Sequence, residues 1–295
     1  MRGRGWMYVL AGLAVMGHAV AQGYALGYPE AGDGHAVEGT VRFDLYRDSL
    51  IVARGAAGPL KGLNFLLDTG ASPTVLDSRV AQKLHLKELP ASIGAVNGRV
   101  QAGRATVPEL EFGPVRRESL PVLIEDLSFI EKALPVRIDG IVGLDVLGQS
   151  AFEIDYGARE IHFGQVPLLP VSLPLRMSQG MAIVDVEIDN APVRLLVDTG
   201  ASSLILFETR MPNAVSMLLV SSVQRSTNVV GDFERRQVRL ESVRLGKTEF
   251  RREAAFVVQN HRDAGDDFDG LMSPAALGIT KIAFDPGRGE LAFSR

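Results

Sequence analysis

The chain has 295 residues, 46% of them hydrophobic, and carries 31 basic against 35 acidic side chains for a formal net charge of -4. That is enough apolar material for one large core or two smaller ones, and the absence of a basic block excludes a nucleic-acid footprint. There is no cysteine, which excludes disulfides and thiolate catalysis.

Arg2 and Arg4 precede an apolar stretch from Trp6 to Met16 and then Ala19-Val20-Ala21. A basic start, a short apolar run and a small-x-small site predict a secretory signal over residues 1–21, cut after Ala21. The alternative, a retained anchor, needs roughly 18 apolar residues to cross a bilayer, and this run is shorter. Export without cysteine points to a periplasm, with secretion as the other destination; no membrane span is expected after cleavage. Residues 22–35 hold four glycines and predict a loose lead-in. Val41-Arg42-Phe43-Asp44-Leu45 and the run from Ile183 to Ile188 alternate apolar and polar residues, as half-buried strands do. Asn97-Gly98 and Gly231-Asp232 mark hairpin turns. Asp77 to Leu86 predicts a short helix with Leu76, Val80 and Leu84 on one face, and Asp145–Gln149 and Pro274–Leu277 predict about one turn each. The three prolines between Gln165 and Pro174 predict a linker. The expected architecture is therefore mainly β, with an N-terminal lobe at 36–168, a C-terminal lobe at 169–295 and only short helices.

The two lobes repeat each other. Leu66-Leu67-Asp68-Thr69-Gly70-Ala71-Ser72 returns as Leu196-Val197-Asp198-Thr199-Gly200-Ala201-Ser202, at an offset of 130. Asp139-Gly140-Ile141-Val142, Phe152-Glu153-Ile154-Asp155 and Glu160-Ile161-His162-Phe163 each return at the same offset. Between them, Gly113 answers Gly246 at 133, so a small insertion enters the second copy and is recovered before Asp269. A constant offset over four landmarks is the signature of internal duplication.

A lone Asp-Thr-Gly is an ordinary turn at the end of a strand. Two of them, at the same point of two copies, bring two matched carboxylates to the interface of two matched lobes. Two aspartates about 3 Å apart cannot both ionise and share one proton. The ionised partner then takes a proton from a water between them while the protonated one polarises a carbonyl, with no metal or cofactor. Gly70 and Gly200 permit tight turns and close approach of the two loops, and the hydroxyls of Thr69 and Thr199 can hydrogen-bond to the opposite loop.

This pattern resembles the pepsin-like and retroviral-type (retropepsin-like) aspartic protease superfamily over most of residues 60 to 295. The resemblance rests on two apolar residues before each Asp-Thr-Gly and on the later apolar-apolar-Gly run. Ile141-Val142-Gly143 supplies that run in the first copy; Leu271-Met272-Ser273 supplies it in the second, with Ser in place of Gly. It implies a pseudo-twofold acid-protease fold that cleaves peptide bonds in a cleft between lobes, with Asp68 and Asp198 as the dyad and Thr69, Gly70, Thr199 and Gly200 supporting the catalytic loops. The expected partner is a protein or peptide substrate. Asn97, Gly98 and Gly231 fall where the family places its covering flap; an ordinary surface hairpin is the alternative, and the first hairpin has no tyrosine to play pepsin's flap role. Relatives often carry Ser or Thr where this chain has Ala71 and Ala201, so loss of a donor to the charged form is expected to raise the dyad's pKa values and to place activity at mildly acidic to near-neutral pH.

The duplication lets one chain build the whole site, so a monomer is expected and a dimer is not required. A non-catalytic relative that binds peptides in the same cleft is the rival reading. The five histidines (His18, His35, His85, His162 and His261) show no metal spacing. The acidic stretch from Asp263 to Asp269 lacks the loop order of a calcium site and is expected to be a solvated loop. No metal or cofactor is predicted.

Overall fold

The protein is described by a computed structural model over residues 37–95, 97–211, 220–228, 230–260 and 267–295. The predicted signal and lead-in lie outside the described residues, as do His18, His35, His261 and Asp263.

Each half folds into a sheet of the same design. In the first, strand Leu60–Leu67 runs parallel to Gly140–Val142, with Leu66 beside Ile141. Gly140–Val142 lies antiparallel to Val75–Asp77, which in turn runs parallel to Val115–Glu125. In the second, Ala191–Val197 pairs with Gly270–Met272, then Leu204–Phe207, then Thr248–Val258, with the same directions. Val75 faces Leu123 in one lobe and Ile205 faces Phe256 in the other. The first pair of counterparts is 130 apart and the second 133, so the insertion lies between these strands. Each Asp-Thr-Gly strand is packed on both faces, so its last residues are all apolar: Phe65, Leu67, Leu195 and Val197 enter the core common to both lobes, Leu66 and Leu196 enter each lobe's own cluster, and all six are fully buried.

A long hairpin rises from each sheet, Leu89–Ala95 with Gly98–Phe112 in the first lobe and Val220–Asn228 with Gly231–Leu245 in the second. Gly98 and Gly231 occupy the positive-φ position of each turn, where glycine avoids the Cβ clash. The helix expected over Asp77 to Leu86 is Ser78–Lys83, capped by the Asp77 carboxylate on the Arg79 N–H. Leu76 and Val80 face the core. Leu144–Leu147 and Ala275–Leu277 form the two single turns. A further 3-10 turn at Leu127–Lys132, capped by Asp126, was not expected; its apolar residues Leu127 and Ile130 close the first lobe's own core.

The lobes share a third, six-stranded sheet made from the ends of both copies. Phe152–Asp155 pairs antiparallel with Lys281–Asp285, with Phe152 opposite Phe284, Glu153 opposite Ala283 and Ile154 opposite Ile282. Since Ala283 is the 130-offset counterpart of Glu153, a pseudo-twofold axis passes through that pair. The Phe152 and Phe284 rings stack with centroids 4.8 Å apart at the centre of a core that spans both lobes. In the first lobe the single strand Gly39–Tyr46 serves this sheet and the lobe's own sheet. In the second the task is split between Val171–Pro174 and Arg176–Ser178, and Pro174, without an N–H, sits at the break. The last residues of the expected linker are therefore a paired strand. Among the described residues no helix is long and apolar enough to cross a membrane.

Candidate active site

Asp68 and Asp198 sit one residue past the ends of their strands, and each backbone N–H is held by the neighbouring strand: Asp68 N–H donates to Val142 O at 3.0 Å and Asp198 N–H to Met272 O at 2.9 Å. Both side chains are fully buried. The loops that carry them are tied together by their threonines. Thr69 N–H donates to the Thr199 hydroxyl oxygen at 3.0 Å, and Thr199 N–H donates to that of Thr69 at 3.1 Å. Each hydroxyl donates in turn across the interface, Thr69 Oγ1 to Val197 O at 2.7 Å and Thr199 Oγ1 to Leu67 O at 3.1 Å. Four reciprocal bonds thus fix the separation of the two strand ends.

The glycines make that separation possible. A Cβ on Gly70 would lie 2.8 Å from Asp198 Cγ, and one on Gly200 would lie 2.5 Å from Asp68 Cγ. Each carboxylate therefore packs on the bare backbone of the opposite loop.

The two acids are not equivalent. Asp68 Oδ1 accepts from Gly70 N–H, and Asp198 Oδ1 accepts from Ala201 N–H, both at 2.8 Å. Neither Oδ2 has a donor elsewhere among the described residues. The two carboxyls lie close enough that each shifts the protonation of the other. Burial pushes Asp68 well above the usual carboxylate range, the charge of Asp198 pushes it further, and the N–H groups of Gly70 and Gly200 partly oppose both. Burial also raises Asp198, opposed by the neighbouring Asp68 carboxyl and by the N–H groups of Ala201 and Gly200. The expected upward direction holds, but its first cause is burial rather than the hydroxyls missing at Ala71 and Ala201.

The supporting loops differ. Gly143 passes so close to the first catalytic loop that a Cβ there would lie 2.3 Å from Ala71 O, and Leu144 N–H donates to the same oxygen at 3.1 Å. Gly143 N–H donates to Thr74 Oγ1 at 3.1 Å, and Thr74 gives its N–H and its hydroxyl to the Asp145 carboxylate at 2.9 and 2.7 Å. In the second lobe the counterparts are Ser273, Pro274, Leu204 and Ala275. Pro274 has no N–H to give, and neither Leu204 nor Ala275 has a polar side chain. The change from Gly to Ser is one part of the replacement of a polar clasp by apolar packing.

The two hairpins meet at their tips. Asn228 Nδ2 donates to Asn97 Oδ1 at 2.7 Å, Asn228 Oδ1 accepts from Val230 N–H at 2.9 Å, and a Cβ on Gly98 would touch Val230 at 3.4 Å. Asn97 and Gly98 thus lie at this contact, whereas a Cβ on Gly231 would meet nothing within 4 Å. Sequence reasoning missed Asn228, which is buried. Its counterpart is Ala95, so comparing the two copies position by position offers the one signal.

Of the acidic stretch, the described part is engaged rather than solvated. Asp269 binds the Arg194 N–H and guanidinium, and Asp267 accepts from Ser178. Asp139 caps the matching place in the first lobe through Asn64 N–H at 2.9 Å.

Two family models match the chain, the aspartyl protease model over residues 56–146 and the gag-polyprotein putative aspartyl protease model over residues 184–267. A comparison with curated proteins finds no match. Each family match contains one Asp-Thr-Gly loop, and the loops face each other across the lobe interface. The chain is therefore similar to the retropepsin-like aspartyl protease families in two regions, one in each lobe.

Proposed function

We propose that the protein is an aspartic endopeptidase that hydrolyses peptide bonds with a water activated between Asp68 and Asp198. The observation that carries this reading is the buried pair of carboxyls, each packed on the glycine of the opposite loop, on loops locked by reciprocal threonine bonds. The pair shares one proton at rest, because both carboxyls are buried and their charges repel; this reading places that proton on Asp68. Asp198 is the base: it takes a proton from water as the water oxygen bonds to the scissile carbonyl carbon, while the Asp68 proton moves toward the carbonyl oxygen. The resulting diol collapses as its C–N bond breaks, and the dyad returns a proton to the leaving nitrogen. One chain supplies both acids, so a monomer suffices, and the predicted signal over residues 1–21 would carry it out of the cytoplasm.

The test is cleavage of a denatured protein by wild type, Asp68→Asn and Asp198→Asn, with and without pepstatin. Loss of cleavage in either variant and in the inhibited enzyme supports the reading. Cleavage that survives both substitutions overturns it, and peptide binding without cleavage in wild type points to the binding rival instead.

A further inference from the structure

The second hairpin carries a buried cation with no anion. Arg235 is 1% exposed. Its guanidinium carbon sits 3.6 Å over the Phe256 ring, and Nη2 donates to Gln224 Oε1 at 2.9 Å. Nε and Nη1 find no acceptor, and no carboxylate among the described residues pairs with it. Other arginines of this lobe do find one: Arg194 binds Asp269 and Arg236 binds Glu208. Burying an ion without a counter-charge costs several kcal/mol, so a site of this kind is expected to receive its anion from outside.

The side chain lies on the face of the hairpin turned toward the catalytic loop. Residues two apart on a strand share a face, as do directly paired residues on neighbouring strands. Arg235 therefore shares a face with Phe233, two residues nearer the tip, and with Val258, its partner across the sheet. Both pack in the cluster that contains Leu196 and Leu271, which flank the strand end leading to Asp198. The first lobe carries no arginine at the matching position. Arg104 pairs with Leu123 and Gln237 with Phe256, so the counterpart of Arg235 is Ala102. Ala102 lines a pocket of about 490 Å³ whose charged walls are Glu88, Glu125 and Asp126.

We propose that Arg235 is a specificity-determining residue that receives a carboxylate of the bound peptide, from an Asp or Glu side chain or from a chain terminus. The inference rests on the peptide-cleaving reading of Asp68 and Asp198 and adds a polarity to it: an acidic group is read on one side of the scissile bond only, because the other side presents Ala102 in place of the arginine. Burial lowers Arg235 to about 10, so it stays charged at neutral pH.

The probe is a set of decapeptides with a central Leu-Phe, neutral flanks and a C-terminal amide, carrying Glu or Gln at one flanking position at a time. One further member ends in a free carboxylate. kcat/KM is measured with wild type, Arg235→Met and Arg235→Lys, and Kd by calorimetry with Asp68→Asn. A charge-assisted hydrogen bond in a buried site predicts a preference for Glu over Gln of about tenfold or more at one position. Arg235→Met abolishes it, and Arg235→Lys keeps part of it. An advantage confined to the free-carboxylate peptide identifies a terminus as the source. Equal handling of Glu and Gln at every position in both assays overturns the proposal, as does a preference that survives Arg235→Met. Should Arg235→Met not fold, the wild-type comparison and Arg235→Lys decide. Glu-selective binding without any cleavage leaves Arg235 in this role and refutes the protease reading instead.

Discussion

Thr74 donates its hydroxyl to Asp145 at 2.7 Å and so fastens the first catalytic loop to the turn behind it; the counterpart pair in the second lobe is Leu204 and Ala275. The two halves of the dyad are thus held by different physics. Asp145→Ala leaves the Thr74 N–H and hydroxyl without acceptors, and each unsatisfied buried group costs about 1–3 kcal/mol. The expected loss is about 2–4 kcal/mol, read as a lower midpoint in denaturant. In the second lobe, Leu204→Thr puts a hydroxyl among apolar neighbours with no carboxylate nearby, so it too should destabilise, although it restores the first lobe's residue. A neutral Leu204→Thr would show that the loop can be re-clasped.

The threonine lock separates stability from chemistry. Thr69→Ser keeps the hydroxyl that serves Thr199 N–H and Val197 O. Thr69→Val keeps the shape and leaves both groups unpaired. The second variant should lose about 2–4 kcal/mol and most of its activity, while the first stays within about 1 kcal/mol of wild type. Thermal melts of both variants, run beside an activity assay, check this ordering.

Much of this arrangement is legible in the residues alone. The 130-residue offset carries the duplication, the two Asp-Thr-Gly runs carry the dyad, and Asn97-Gly98 and Gly231-Asp232 carry the hairpins, because turn chemistry and a repeated motif are local signals. The shared sheet is not local. It depends on Phe152 meeting Phe284, residues far apart in sequence whose alternation fits any half-buried strand. Arg235 and Asn228 are likewise hidden, since on a strand pattern each is one more polar residue; only packing shows that both are buried. The 3-10 turn at Leu127–Lys132 is too short for helical periodicity to register.

The contact between hairpin tips predicts a gating effect. Asn228→Ala removes the bond to Asn97 and the acceptor for Val230 N–H. The tips should then open more often. Hydrogen exchange of the amides at Gly98 and Gly231 is expected to speed up, and KM to rise several-fold with a smaller change in kcat. Asn97→Ala removes only the bond between lobes and should give the milder form of the same change. Unaltered exchange at both tips in Asn228→Ala would mean that apolar contact between Gly98 and Val230 holds them without the amide.

The dyad also fixes the sign of a pH dependence. Both folded-state carboxyls lie above their ordinary value, with Asp198 raised to about 6 from 3.8 and Asp68 raised as well. They titrate as a pair. Between these limits the folded state binds more protons than the unfolded one, so stability is greatest below about pH 4 as far as these groups are concerned and is lost as pH rises through about 6. For a shift of this size the loss is on the order of 3 kcal/mol. Asp68→Asn removes one acid and the repulsion it exerts. The variant should therefore be more stable than wild type at pH 8, with the difference closing toward pH 4, in denaturant titrations run across that range. Peptide cleavage needs the pair singly ionised, so in wild type it should rise as pH passes up through about 6, where the first proton leaves, and fall only at the higher pH where the second is lost. If the stability difference between variant and wild type does not grow with pH, the two carboxylates are not competing for one proton, and the hydrolytic step assigned to them loses its base and acid together.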